Sequence, residues 1–598
     1  MKVILDDISA NRSWPQGSVE QLVGDHYAAC MDEAAVNAAG IKPIAPMLAE
    51  IDALKDVAGV QRMIIRLHQL NFDDPFGLGA SPDNHQPSRV IPDVYASGLG
   101  LPDRDYYLKP DARFVEAREK YKEHVAATFR LAGYRDEPAK ASARLVFEQE
   151  KALAQASLGR VDRRDPKAVD HKMTFAGLQR LAPRFDWAAY FDAAGIPKGD
   201  LNVREPKHLQ ELDRQLAEVP LDTWKQYLAW HLLSGASPSL SAPFVEENFR
   251  FYSAYLGGTK EMKPRWKRCV ESTDELLGEA LGRKYVEKHF PPEAKARMQD
   301  MVKNILLAMG DTIRELDWMT DATKAKALEK LSTFNPKIGY PDKWKDYSSV
   351  RIRRDAFAEN VRAATRFAVQ DDLSQIGKPV DKGLWRMTPP TSNAYYNPLL
   401  QEIVFPAGIL QPPGFRMEST DAVSYGAIGV VIGHEISHGF DDQGAQFDAE
   451  GRLRNWWTDE DLKRFQARGQ CVVDQFEGYF IEPGLHHRGK LVLGESIGDL
   501  AGARIALRAY RKSREGKGPE PTVDGYTPEQ QFFIAWGQFR GDAIRPETQR
   551  LMIQNDPHPT GKFRVIGPLS NMPEFARTFS CAADAPMVRP AEKRCEVW

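Results

Sequence analysis

Over 116–131, 139–158, 292–316 and 322–331, apolar residues recur at three- and four-residue spacing among Lys, Arg and Glu. That period puts the apolar side chains on one face, so each segment predicts an amphipathic helix. Connectors bearing Pro and Gly separate them, as at 234–243. The stretch 335–347, with Pro336, Gly339 and Pro341, predicts a break in the helical region. Strand signals concentrate at 394–410. A more apolar helical run follows, in which Val423, Ala427, Val430, Val431 and His434 share helical spacing. Ser419, Thr420 and Asp421 are its N-cap candidates and Gly439 suits its C-terminal stop. The pattern predicts a mainly α protein with a smaller α+β part.

The apolar helix ends in Gly433-His434-Glu435-Ile436-Ser437-His438-Gly439, an HExxH sequence. Histidines four apart lie on one helix face, so both imidazoles can bind one metal ion. Glu435 sits close enough to act on a metal-bound water. The plainer alternative is two histidines hydrogen-bonded inside a core helix. A third ligand is available in LGESIGDLAG at 493–502, where Glu495 and Asp499 are also four apart. Two histidines and one carboxylate leave a zinc position open for water, the catalytic arrangement. Asp499 can accept the second ring N–H of a zinc histidine and fix its tautomer. Acidic residues at this spacing also suit a solvated helix face. Gly494, Gly498, Ala501 and Gly502 argue for a helix packed closely against another backbone, an expensive place for an unpaired carboxylate.

Composition narrows the classes. With 598 residues and 42% hydrophobic content the chain can fill sizeable cores. A net charge of -3 and a pI near 6.5 give no whole-chain reason to bind nucleic acid or anionic lipid. Mean hydropathy is -0.47, and no apolar run approaches the length of a membrane span. Residues 1–7 lack the apolar core of a signal peptide. His486 and His487, in the polar stretch 483–489, read as solvated loop residues.

Several motifs in order now bear on family: LGLPDRDYY at 99–107, NAYYNP at 393–398, IVFPAGILQPP at 403–413, VIGHEISHGFDDQG at 431–444, NWWT at 455–458, GESIGDLAG at 494–502 and the terminal CEVW. On these, nearly the whole chain resembles the neprilysin family of zinc endopeptidases, which includes endothelin-converting enzymes and bacterial oligopeptidases. The resemblance implies two lobes, a helical one at 1–382 and a thermolysin-like catalytic one at 383–598. The helical lobe is expected to enclose a cavity that admits oligopeptides. The resemblance implies one Zn2+ ion on His434, His438 and Glu495, with Glu435 as general base and Asp499 orienting a ligand. Asn393 and Ala394 would belong to an edge strand that pairs with the peptide backbone, a mode that tolerates many side chains. Asn393 could otherwise be an ordinary turn residue. His558 would stabilise the oxyanion and Arg564 would hold the substrate carbonyl, although alone they read as a loop histidine and a surface arginine. The expected activity is hydrolysis of internal bonds in oligopeptides by a monomer with no nucleic-acid partner. A zinc enzyme for other bonds and an inactive binding protein are the alternatives. The NAYY element and Arg564 speak against the first, and the intact His434, Glu435, His438, Glu495 and His558 against the second.

The chain also departs from the family. Gly414 stands where members often carry phenylalanine, and Arg540 falls near a pocket tryptophan, whereas Ile409, Val430 and Val431 match apolar pocket positions. An inward Arg540 would favour a polar or acidic substrate side chain and broaden the preference beyond large apolar residues. Otherwise Arg540 faces solvent and Phe415 fills the gap. Among five cysteines, the resemblance pairs Cys30 with Cys269 and Cys471 with Cys595. Oxidised pairs predict an extracytoplasmic enzyme, periplasmic or secreted, with a cytoplasmic enzyme of reduced thiols as the alternative. Cys581 lacks its family partner, and no signal peptide or aromatic-rich opening segment precedes the matched part. These gaps predict an N-terminally truncated chain, against a genuine short form with Cys581 reduced.

Overall fold

The computed structural model describes residues 1–518 and 520–598. The chain forms two compact units, Met1–Leu281 with Trp344–Asp381, and Gly282–Lys343 with Lys382–Trp598. The segment 282–343, assigned from sequence to the N-terminal lobe, therefore clusters with the catalytic residues. The reason is local. Helix Pro292–Glu315, with Met298, Met301, Val302 and Ile305 buried, packs against Leu493–Ser513, the helix that carries Glu495.

The first unit is helical around one four-stranded sheet. Phe76–Pro82 pairs antiparallel with Val90–Ala96, which runs parallel to Asp200–Val203, with Lys172–Thr174 at the edge. The amphipathic patterns at 116–131 and 139–158 become helices Ala112–Leu131 and Asp136–Ala156. The connector expected at 234–243 is shorter than its composition suggests, because helix Leu221–Ala236 runs into it and Ala242–Asn248 begins before its end. Cys30 and Cys269 form a disulfide across 239 residues of sequence.

The LGLPDRDYY motif serves this unit's interior. Tyr107 and Tyr121 both donate to the fully buried Glu150 at 2.8 Å. His231 stands between carboxylates, with Nδ1 3.1 Å from Asp74 and Nε2 3.1 Å from Glu150. Burial opposes its charge, but Asp74 and Glu150 outweigh burial and push its pKa up to about 10. A folded-state pKa above the unfolded value gives stability that is complete below about pH 6.5 and lost as pH rises through about 10. Stability measured by denaturant at pH 7, 8.5 and 10 should fall more steeply in the wild type than in His231→Gln. Parallel slopes would contradict this.

In the second unit, Glu402–Pro406 is the central strand of three and is buried throughout. Asn335–Gly339 pairs with it in parallel and Tyr395–Asn397 antiparallel. The break expected from Pro336 and Gly339 is thus the start of a strand, which Pro can occupy at an edge. Cys471 and Cys595 form a disulfide, and Cys581 is free.

Helix Leu493–Ser513 lies directly on helix Val430–Ser437. The small residues make this approach possible. A Cβ on Gly502 would stand 2.7 Å from the His434 backbone nitrogen, and one on Gly433 would stand 2.8 Å from the Gly502 carbonyl oxygen. A Cβ on Gly498 would meet the His434 Nδ1 at 2.7 Å. Gly502→Ala should therefore force the two helices apart, at a cost of about 1–3 kcal/mol. Thermal unfolding together with metal affinity checks this, and a variant matching the wild type in both would refute it.

Candidate metal centre and active site

Thr420 begins the motif helix by accepting a hydrogen bond from the Val423 backbone N–H. Asp421–Ser424 continues through a π-type turn, Tyr425–Gly429, into Val430–Ser437 and a final tight turn at His438–Phe440. Gly426 lies so close to the Phe532 carbonyl that a Cβ would be 2.1 Å from it. The helix is buried all round, which explains its continuous apolar composition.

His434 and His438 project from it side by side, their ring centroids 4.4 Å apart. Each ring is held at Nδ1 by a carboxylate: His434 lies 2.9 Å from Asp499 and His438 2.8 Å from Asp441. With Nδ1–H donated to a carboxylate, Nε2 keeps its lone pair for a metal. The two Nε2 atoms converge on Glu495, His434 at 3.2 Å and His438 at 3.7 Å. Ligand atoms about 2.0–2.1 Å from a tetrahedral zinc lie about 3.3 Å from one another, so these separations fit a zinc shell. The Glu435 carboxylate also comes within 4.8 Å of the imidazole nitrogens. Glu495 is the better third ligand because it touches both Nε2 atoms, which leaves Glu435 beside the shell.

The electrostatics suit a cation. Burial works against a charge on Glu495, yet His438, His434 and His558 hold its pKa well below the usual carboxylate range. Burial likewise opposes Asp499, and Arg564 with His434 holds it low. Burial and the neighbouring His438 oppose a proton on His434, but Asp499 and Glu495 raise its pKa nonetheless. A buried pocket that keeps its carboxylates ionised and draws protons onto its imidazoles would be satisfied by a metal ion in their place.

Arg564, on helix Gly561–Ser570, is buried and not at the surface. Its Nε and Nη2 donate to Asp499 at 2.7 and 2.8 Å, a two-point grip, and Nη2 lies 3.5 Å from Glu495. His558 is half-exposed on the loop before that helix, with Nε2 3.2 Å from Glu495 and Nδ1 2.6 Å from Asp556. Asn393 and Ala394 immediately precede the edge strand Tyr395–Asn397, Asn393 exposed and Ala394 buried. The expected strand thus begins two residues later than its motif. His487 corrects the reading of 483–489 as solvated: it is fully buried, and its Nε2 accepts the Thr560 backbone N–H at 3.1 Å.

Three further residues contribute to the site. Asp441 orients His438, and a carboxylate three residues beyond the second motif histidine was a legible signal. Asp556 holds His558 from two residues away. Lys330 left no signal, since it sits in an ordinary charged amphipathic helix, Asp321–Ser332. It is fully buried, and its Nζ donates to the carbonyls of Gly439, Gly444 and Phe447 at 2.6–2.7 Å. Those bonds pin the loop that carries Asp441.

The chain is similar to known peptidases. Residues 1–341 and 393–595 match the two parts of peptidase family M13. Endothelin-converting enzyme 1 of Rattus norvegicus is 32% identical over 624 residues, covering 100% of this chain and 81% of the relative. Neprilysin-3 of Drosophila melanogaster is 32% identical over 608 residues, covering 96% and 76%. Among solved structures, Mycobacterium tuberculosis zinc metalloprotease ZMP1 in complex with inhibitor superposes with a TM-score of 0.94 at 36% identity, covering 100% of this chain and 91% of that one. PEPO from Lactobacillus rhamnosis superposes with a TM-score of 0.91 at 25% identity, covering 100% and 93%. With both parts matched and the identity sustained along its length, the chain belongs to peptidase family M13, the zinc metalloendopeptidases.

Proposed function

We propose that this peptidase holds one zinc ion on His434, His438 and Glu495 and hydrolyses internal bonds of oligopeptides. The observation that carries the reading is the convergence of the two Nε2 atoms on Glu495 while both Nδ1 atoms are held by carboxylates. When bound, zinc would supply Lewis acidity, lowering the pKa of water and polarising the scissile carbonyl.

The chain's own groups do the rest. Glu435, beside the ligand cluster, accepts the proton of the attacking water and passes it to the leaving amine. His558, held at Nδ1 by Asp556, presents Nε2 toward the site and donates from it to the developing oxyanion when both ring nitrogens carry hydrogen. Arg564, fixed by Asp499, holds the substrate carbonyl in register. Asp499 and Asp441 keep both imidazoles in one tautomer. The exposed Asn393 and the buried Ala394 lead into the edge strand Tyr395–Asn397, whose outer side pairs with no strand among the described residues and suits a peptide added as a further strand. Reading backbone in this way tolerates varied side chains and favours extended oligopeptides. No nucleophilic Ser or Cys takes part.

No helix among the described residues is long and apolar enough to cross a membrane. The two disulfides favour an oxidising, extracytoplasmic compartment. A mixed library of synthetic peptides, digested and mapped by mass spectrometry, tests the function. Internal cleavage of peptides is the expected result, and turnover confined to non-peptide esters or amides would refute it.

A further inference from the structure

Arg540 caps the end of helix Pro528–Phe539, one residue past the ring that packs against Gly414. A Cβ on Gly414 would lie 3.1 Å from the Phe539 ring and 3.0 Å from the Ile409 carbonyl oxygen. With a side chain at 414 the Phe539 ring would have to give by a few tenths of an ångström, so the glycine allows its close seat. The next residue, Arg540, is carried inward instead of into solvent, with only 21% of its side chain exposed. Its guanidinium lies on the rings of Trp536 and Phe539, 4.9 and 5.3 Å from their centroids. Trp536 is itself anchored by donating to the Arg564 carbonyl at 3.0 Å.

The electrostatic position of Arg540 is unusual. Its nearest carboxylate is Asp499, 3.9 Å from Nη2, beyond hydrogen-bond range. The Asp499 oxygens are already engaged by Arg564 and His434. The Arg540 Nε is buried and has no hydrogen-bond partner among the described residues. A buried guanidinium donor without a partner is costly unless something else fills the position. Burial and the charge of Arg564 lower its pKa, though only to about 10, so the group is a cation at neutral pH. Planar and apolar on one face, it presents the donor array that matches a carboxylate at two points.

We infer that Arg540 receives a carboxylate of the bound peptide, either an acidic side chain flanking the scissile bond or a free C-terminus. This rests on the proposed peptidase reading and adds to it a substrate class, acidic peptides. Both sources share the same chemistry, and a matched peptide set separates them. One series carries Glu, Gln or Leu at each position flanking the cleaved bond, and a second compares C-terminal acid with C-terminal amide. For each, kcat/KM is measured with the zinc-loaded wild type, Arg540→Ala and Arg540→Lys. Binding of the uncleaved peptides to the Glu435→Gln variant, with and without Arg540→Ala, is measured by calorimetry.

The readout is a ratio within each protein, so an overall loss of activity does not obscure it. The wild type should favour Glu over Gln, or acid over amide, by about tenfold or more, the worth of one charge-assisted contact. Arg540→Ala should erase that ratio, and Arg540→Lys should restore part of it. If the Glu/Gln ratio moves, the side chain is the source, and if the acid/amide ratio moves, the terminus is. Ratios left unchanged by Arg540→Ala, in turnover and in binding alike, overturn the inference. A wild type that cleaves none of the peptides sinks the peptidase reading instead, and the calorimetric ratios still decide the role of Arg540.

Discussion

Glu435→Gln is expected to lower kcat by about a thousandfold, within the range for losing a general base. Its zinc content should stay at the wild-type value. The amide has nearly the shape of the carboxylate but cannot take a proton from water. Glu435 is not the residue that bridges the two imidazoles, since Glu495 meets both Nε2 atoms. Elemental analysis of the purified variant beside its peptide turnover checks both parts. Turnover equal to the wild type would remove Glu435 from the reaction, and loss of zinc would make it a ligand.

The second large effect belongs to Asp499→Ala. Asp499 is fully buried and carries three contacts, 2.9 Å to His434 and a two-point grip from Arg564. Removing it frees the His434 ring to change tautomer and leaves the Arg564 charge buried without its main partner. Zinc affinity should fall about 10–100-fold, as when other ligand-orienting carboxylates are lost. Stability should fall by about 3–5 kcal/mol, because an uncompensated buried charge remains. Asp499→Asn, which can still hydrogen-bond, should lose less of both. Chelator competition and urea denaturation measure the two, and a variant with wild-type affinity would show that the contact does not orient the ligand.

Much of this site could be read from residues alone. HExxH with helical spacing places two imidazoles on one face, and the small residues around Glu495 anticipate a close helix contact. The structure shows that contact at Gly433, Gly498 and Gly502. His558 and Arg564 were not legible by themselves, because neither carries a local pattern. Arg564 is buried with its charge met chiefly by Asp499, 65 residues away in sequence. Lys330 is similarly opaque, since nothing in a charged amphipathic helix says which lysine faces the interior. Long helices were predicted well because their apolar period persists over several turns. The strand Asn335–Gly339 was missed because Pro and Gly signal a break locally, while its pairing with Glu402–Pro406 is set by distant sequence. His487 was misplaced for a related reason: its partners, Tyr479 and Thr560, are supplied by the fold.

On the proposed mechanism, peptide hydrolysis requires one zinc ion on His434, His438 and Glu495. Titrating zinc into chelator-stripped protein while following hydrolysis of a single peptide tests it most directly. Activity should be absent at the start, rise with added zinc and reach its plateau at one equivalent, with no recovery in His438→Ala. Full peptide hydrolysis by the metal-free protein, or equal recovery in His438→Ala, would contradict it.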